Sequence, residues 1–529
     1  MTMSSRVSYV STPAPGPHDG KRLSPWRVIL GVLILAAIVA AAVLGYRFLA
    51  NQQARADVPE PWFASYVDVT ATPPFPFESP VGDPQRDVVL AFVVAAAGDS
   101  CTPSWGAAYS MDDAARDLDL DRRIARLREQ GGDVLVSFGG AAGAELATAC
   151  DDQAQLTAAY SAVVDRYGLS TIDLDIEGDD LADPVAGLRR AMAIASLQSE
   201  RRAAGESLAV WLTLPVAPDG LAADARTAVS QMLEAGVDLA GVNVMTMDYG
   251  TDLGGKTMAQ ASIDALAATQ RQVAAIYRQA DRPLTDATVW SKLGATPMIG
   301  QNDVVSEVFT LSDAEQLNAF GQQQRLGRMS MWSLNRDRSC GSNYADVRVV
   351  SDNCSGVKQG DATFAESLSP GFEAPPDASA DQTTTPEPAP IVTDDPGTSP
   401  YPIWNANATY VAGSKVVRHG NVYVAKWWTR GDAPDDPLAD SDSWPWTLVG
   451  PVLPGETPYP QPTVPPGTYP EWSPTQVYRA GERVLLQGLP YEAKWWTEGD
   501  SPDAQSTAPD GSPWRPLTAK EIEAAVPAS

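Results

Sequence analysis

Between Gly168 and Asp180 the chain reads GLSTIDLDIEGDD, with Asp173, Asp175 and Glu177 alternating with Ile172, Leu174 and Ile176. Strand side chains repeat every two residues, so the three acids share one face and the three aliphatic side chains the other. In a parallel sheet covered by helices the aliphatic face packs beneath a helix, which turns the acids into the centre of a closed sheet. Carboxylates are rarely buried without partners, so three on one inward face are costly. Crowding pushes their pKa values apart, and one acid can then keep its proton while a neighbour is ionised. That is the chemistry of a general acid beside a charged helper, with Glu177, Asp175 and Asp173 as candidates. A solvated edge strand or a calcium loop would be the plainer use of three acids. The flanking pattern is that of a buried strand, and it lacks a calcium loop's oxygen-rich spacing.

Positioning them requires a scaffold, and the surrounding 300 residues supply one. From about Asp57 to Lys358, apolar runs with strand character alternate with helical patterns. The strand candidates are Ser65–Thr70, Val88–Ala95, Asp133–Phe138, Thr171–Glu177, Ala209–Pro215, Gly241–Asp248, Ala295–Ile299 and Arg328–Leu334. Helices between them are expected to stop at Gly131-Gly132, Gly168, Gly205, Gly236 and Gly327. Eight strands alternating with helices over this length predict a (β/α)8 TIM barrel, with Glu177 emerging at the C-terminal rim where barrel active sites sit. An open doubly wound sheet would expect a Gly-rich phosphate loop near its start, and none is present.

The GLSTIDLDIEGDD stretch resembles the D-x-x-D-x-D-x-E signature of glycoside hydrolase family 18, the chitinases and their relatives. Asp173, Asp175 and Glu177 match its last three acids, while Ser170 stands where the first Asp is usual. Ser137-Phe138-Gly139-Gly140 is similar to the family's S-x-G-G motif on strand three. Met245-Thr246-Met247-Asp248-Tyr249-Gly250 is similar to the M-x-Y-D motif on strand six, with Met247 in the position usually held by Tyr. Trp332, in SMWSLNRD, matches the strand-eight tryptophan that floors the sugar subsite. Taken singly, a Gly-Gly is a turn and a strand Trp is core. In this order at one barrel end they reinforce one another.

The resemblance implies substrate-assisted chemistry, an exception to the two-carboxylate scheme of most glycosidases. Glu177 would protonate the glycosidic oxygen, Asp175 would hold the acetamido N–H of the sugar, and Asp173 would tune Asp175 from beneath. Asp248 would orient the acetamido group and Trp332 would wall its methyl. Tyr249, Gln301 or Asn302 would take over from the absent strand-six Tyr. No metal and no cofactor are implied, and the expected substrate is chitin or another N-acetylglucosamine polymer.

The full chain has 529 residues and a formal net charge of -28, which argues against nucleic acid as a partner. With only His18 and His419, a Ser–His–Asp triad or a His-ligated metal in the central domain is excluded. Residues 1–27 are polar and end in basic residues, and Val28 to Tyr46 carries no charge. About twenty such residues span a bilayer, so 28–46 is expected to be a transmembrane anchor, uncleaved, contacting lipid. The catalytic domain is then expected outside the cell membrane and the N-terminus in the cytoplasm; cleavage near Ala54-Arg55-Ala56 would give a secreted form. Export makes disulfides among Cys101, Cys150, Cys340 and Cys354 plausible, with three pairings open. A monomer is expected.

Residues 359–400 are rich in Pro, Thr, Asp and Ser and are expected to form a linker. Beyond lies a repeat: WNANATYVAGSKVVRHGNVYVAKWWTRGDAPD from Trp404 aligns without a gap with WSPTQVYRAGERVLLQGLPYEAKWWTEGDSPD from Trp472. Short alternating runs broken by glycines predict two all-β modules, 401–450 and 470–518, joined by a Pro-rich linker over 451–469. Nine of the fifteen Trp lie beyond residue 400, more than cores this small need. The repeats resemble carbohydrate-binding modules of family 5/12, which stack flat aromatic faces on sugar rings. Candidate sugar contacts are Trp404, Trp427, Trp428, Trp472, Trp495 and Trp496; in an extended strand adjacent residues face opposite ways, so at least one Trp of each A-K-W-W-T pair could be core. The whole reads as a chitinase, with two rivals: a barrel kept as a non-catalytic chitin-binding surface protein, and an endo-β-N-acetylglucosaminidase acting on N-glycans. Retention of Glu177 disfavours the first, and modules suited to insoluble polymer disfavour the second.

Overall fold

The computed structural model describes residues 58–80, 82–344, 346–376, 393–435, 444–458, 464–465, 467–486, 489–502 and 512–517, with Trp26, Leu30, Leu33, Ile34, Glu521, Ile522 and Ala525 besides. The anchor expected at 28–46 falls outside these except for Leu30, Leu33 and Ile34. No helix of the described residues is long and apolar enough to cross a membrane.

Eight parallel strands close on themselves. We number them β1 (Trp62–Phe63 continued by Ser65–Asp68), β2 (Asp87–Ala96), β3 (Asp133–Gly139), β4 (Thr171–Asp175), β5 (Ala209–Pro215), β6 (Leu239–Met245), β7 (Leu293–Thr296) and β8 (Arg328–Met329). Each pairs with the next, and β1 bonds β8 through Trp62–Phe63 and β2 through Ser65–Asp68, so no edge remains. Each of the eight strand candidates overlaps one of these strands, but Ala295–Ile299 and Arg328–Leu334 share only two residues each with β7 and β8, and Gly241–Asp248 runs past the end of β6. Helices such as Gln153–Tyr167 and Pro184–Ala204 cover the outside, each opened by an Asp cap (Asp152, Asp183) and closed by a left-handed glycine (Gly168, Gly205). Gly327 has another cause. The helix before it ends at Arg325, and a Cβ at Gly327 would lie 1.9 Å from the Ser291 carbonyl. Close backbone approach, not helix termination, requires that glycine.

Ile172, Leu174 and Ile176 are wholly buried in the layer between strands and helices. Full burial of each such side chain is worth roughly 1.5–3 kcal/mol. A hairpin, Asp99–Trp105 with Tyr109–Ser110, extends β2 antiparallel, and Cys101 on it is bonded to Cys150; Cys340 is bonded to Cys354.

The barrel domain continues past Lys358, where the linker was expected. Phe364, Leu368 and Phe372 are buried against its core, because an apolar helix (Phe364–Leu368) with a Thr363–Glu366 capping box follows directly. At the N-terminal rim Trp62 bridges Glu373, and Ala374 N–H donates to the Pro61 carbonyl at 3.2 Å. The two ends of the domain therefore lie side by side.

Each repeat is a three-stranded antiparallel sheet plus a two-stranded ribbon. The first uses Lys415–Arg418, Asn421–Ala425 and Trp446–Pro451 with Thr409–Tyr410 and Thr429–Arg430. The second uses Arg483–Leu486, Leu489–Ala493 and Trp514–Pro516 with Val477–Tyr478 and Thr497–Glu498.

Candidate active site

Strand β4 lies between β3 and β5, with Ser137 and Trp211 beside Asp173, and Gly139 and Thr213 beside Asp175. The Gly139-Gly140 pair lets β3 approach closely. A Cβ at Gly139 would sit 2.0 Å from the Asp175 carbonyl, and Gly140 N–H donates to that same carbonyl at 2.9 Å.

Asp173 has no exposed surface and its two oxygens face four donors. Tyr66 Oη and Ser137 Oγ donate to Oδ2, each at 2.8 Å. Thr213 Oγ1 donates to Oδ1 at 2.7 Å, and Arg328 Nη1 to the same oxygen at 2.5 Å. Arg328 was not among the sequence candidates. It is fully buried, donates also to Tyr66 Oη and Ser330 Oγ, and lies among the rings of Trp62, Tyr66 and Trp211. A buried guanidinium is tolerable only with such partners, and Asp173 supplies the opposite charge.

Asp175, one strand step on, is also buried, but its Oδ1 has no hydrogen-bond partner. Burial pushes its pKa well up, and the neighbouring Glu177 and Asp173 push in the same direction against Arg328. Strand geometry ends at Asp175, two residues earlier than expected, and Glu177 stands immediately before the short helix Gly178–Ala182, its side chain making no capping hydrogen bond. Glu177 is half-buried, and burial first, then the charges of Asp248 and Asp180, raise its pKa above the ordinary glutamate value. Burial thus raises the carboxyls of both Asp175 and Glu177, the direction that favours a proton donor in this cleft.

Asp175 and Glu177 open into a cleft of about 250 Å³ lined also by Tyr66, Phe92, Met245, Met247, Asp248 and Trp332. Trp332 stacks on Phe92, with centroids 5.3 Å apart and planes at 22°. The two rings make a flat apolar surface suited to a sugar face. Asp248 sits in the left-handed region at φ 45°, where its Oδ1 accepts Val304 N–H at 2.9 Å. Burial raises its pKa, as do Asp303 and Glu307. Asp173, Asp175, Glu177, Asp248 and Trp332 are therefore brought together.

Tyr249 and Gln301 are not. Tyr249 is buried outside the cleft lining with its hydroxyl 3.3 Å from Ser262 Oγ, so it cannot replace the strand-six Tyr. Gln301 is buried too, and its amide nitrogen donates to the carbonyls of Asn302, Val305 and Glu307. Asn302 is likewise spent, donating to Met298 and Gly300 carbonyls and accepting from Asp248 N–H. These residues shape the loop that carries Asp248. Their polarity beside a motif drew attention to them, but only three-dimensional partners reveal that it is used internally. Phe92 and Met298, which both line the cleft, and Arg328, by contrast, read as ordinary strand residues in the sequence.

In the repeats the Trp-Trp pairs lie outside the strands, Trp427 and Trp495 in bends and Trp428 and Trp496 in the irregular backbone that follows, so the alternation argument fails. Trp427 is 43% exposed, Trp495 43% and Trp496 60%; Trp428 is half-buried. The core tryptophans are Trp446 and Trp514, whose indole N–H groups donate to the carbonyls of Asp432 and Asp500. Trp404 and Trp472 pack partly buried against those cores.

Residues 403–446 and 471–515 match carbohydrate-binding module family 5/12. A probable bifunctional chitinase/lysozyme of Escherichia coli is 38% identical over 263 residues, 48% of this chain and 28% of that protein. Endochitinase 11 of Metarhizium anisopliae is 37% identical over 256 residues, 47% of each chain. The chain thus spans less than half the length of the curated relatives it matches. The catalytic domain of a hyperthermophilic chitinase from Pyrococcus furiosus, a crystal structure, is 29% identical, with TM-score 0.49, 60% of this chain covered and 94% of that one. Over about half its length the chain is similar to chitinases, and its two β modules match a carbohydrate-binding family.

Proposed function

We propose that the chain is a family 18 chitinase, hydrolysing β-1,4 bonds between N-acetylglucosamine units with retention of configuration. The observation that carries this reading is the buried Asp175 Oδ1 without a partner, in a cleft shared with Glu177 and floored by Trp332 and Phe92. An unpaired buried acceptor is expensive, and an acetamido N–H from the sugar would satisfy it. Glu177 then gives its proton to the glycosidic oxygen as the C–O bond breaks. The acetamido oxygen bonds to the anomeric carbon, forming an oxazolinium ion, and water deprotonated by Glu177 opens it. Effective concentration is the gain, since nucleophile and electrophile belong to one sugar.

Asp173, locked by Arg328, Tyr66, Ser137 and Thr213, fixes the charge beneath Asp175. Asp248 orients the acetamido group, and Met247 with Trp332 gives its methyl an apolar wall. The exposed Trp427, Trp495 and Trp496 hold polymer. Neither a metal nor a cofactor takes part in this scheme. Segment 28–46 anchors a monomer in the cell membrane with the barrel outside.

The test is to incubate the full chain with colloidal chitin and, separately, with a glycoprotein, and to identify products by mass spectrometry. N-acetylglucosamine oligomers from chitin support the reading; release of glycans alone, or of nothing, overturns it. The anchor is checked by sedimentation of activity with membranes, and a soluble form whose sequence begins at Asp57 would overturn it.

A further inference from the structure

The two modules are alike in sequence but are covered differently on one face. In the first, Tyr401, Val417, Val422, Val449 and Val452 form a small apolar cluster beside Lys415. The barrel helix Leu120–Glu129 lies on this side. Lys415 Nζ is 2.5 Å from Asp119 Oδ2, and Tyr401 Oη donates to Asp119 Oδ1 at 3.3 Å. Arg122, 3% exposed, donates to the Pro451 carbonyl and, through both terminal nitrogens, to Glu456. The packing is close: a Cβ at Gly450 would lie 2.6 Å from the Arg122 carbonyl.

At the offset that relates Trp404 to Trp472, the second module places Tyr469, Arg483, Leu485 and Leu517 where the first has Tyr401, Lys415, Val417 and Val449. Among the described residues, the apolar side chains clustered with Leu485 and Leu517 come from outside the barrel helices. Ile522, 5% exposed, clusters there with Leu485, Leu517 and Val464, and Ala525 packs beside it. Glu521 is 3.9 Å from Arg483 and 2.7 Å from Arg515. Each face thus has an acid near the cation at the repeat-equivalent position: Asp119 at Lys415 in the first, and Glu521 at Arg483 in the second, where Glu492 is the nearer partner of Arg483 at 2.9 Å.

We propose that both modules carry the same docking face, which the barrel helix fills in the first and the C-terminal residues Glu521, Ile522 and Ala525 fill in the second. The first module is therefore a rigid extension of the barrel. The second is kept from docking by a stand-in for that helix.

Hydrogen exchange followed by mass spectrometry on the full chain tests it. Arg122→Glu should raise exchange at least tenfold in peptides spanning 120–129 and 446–451 while leaving 483–486 unchanged. The charge swap Arg122→Glu with Glu456→Arg should restore protection, which separates undocking from misfolding. Ile522→Glu should do the reverse, deprotecting 483–486 alone. Unchanged exchange at 446–451 in Arg122→Glu, no restoration by the swap, or unchanged exchange at 483–486 in Ile522→Glu, overturns the proposal. Chitin hydrolysis plays no part in the readout, so its failure would not be mistaken for this one.

Discussion

Arg328 Nη1 and Asp173 Oδ1 stand 2.5 Å apart at the centre of the barrel, and neither side chain has exposed surface. Breaking such a pair by removing one member leaves an unpaired buried charge and costs about 3–5 kcal/mol. Arg328→Met should therefore lower stability to urea by roughly that amount. Adding Asp173→Asn should recover most of it, because no charge is then stranded. A double variant no more stable than the single one would show that Arg328 acts through packing among Trp62, Tyr66 and Trp211 instead.

Glu177→Gln keeps the shape of the cleft and removes its proton donor. Hydrolysis of chitin oligomers should fall by about 10²–10⁴-fold or more, with binding retained in a pull-down on insoluble chitin. Near-native turnover would reject Glu177 as the acid.

The pH dependence follows from the charges around Glu177. Its raised pKa keeps it protonated to higher pH, so activity should decline as pH rises through that value. Asp180 is one of the charges responsible. Asp180→Asn removes it while keeping an oxygen for Glu145 N–H, so the alkaline limb of kcat should move to lower pH. A limb that stays in place or moves upward contradicts this origin.

Asp87 lies far from the cleft chemistry, at the start of β2, where burial raises its carboxyl to about 6. A carboxyl that binds its proton more tightly when folded stabilises the fold at low pH, and this contribution is lost as pH rises from about 4 to about 6. Asp87→Asn can still accept Asp133 N–H and should flatten that decline, gaining up to about 3 kcal/mol at pH 7. Thermal melts of both proteins across this range decide the matter; parallel curves would exclude the effect.

For the modules, Trp427, Trp495 and Trp496 changed together to Ala should reduce activity on crystalline chitin far more than on soluble oligomers, since polymer grip acts through local concentration. Trp428, half-buried, is left alone so that folding is preserved. Equal losses on both substrates would assign these rings a structural role.

Period-two alternation made β4 and its acids legible, because a strand with one aliphatic face admits few other readings. Eight strands could be located, with looser ends, from apolar runs alternating with helical patterns. What escaped was whatever depends on long-range partners. Arg328 meets Asp173 across 155 positions of sequence, and nothing local announces it. Tyr249 and Gln301 looked available because a sequence does not display that Ser262 and three carbonyls already engage them. The Trp-Trp pairs misled in another way: periodicity was applied where the backbone bends.

The adjoining ends of the barrel domain, Pro61 beside Ala374 and Trp62 beside Glu373, make it a cassette. A short peptide could join them, and the ring could be opened at an exposed loop without unthreading a strand, as circular permutation requires. The same adjacency lets the whole domain be spliced into a loop of another protein, entering and leaving through one doorway on the rim opposite the cleft.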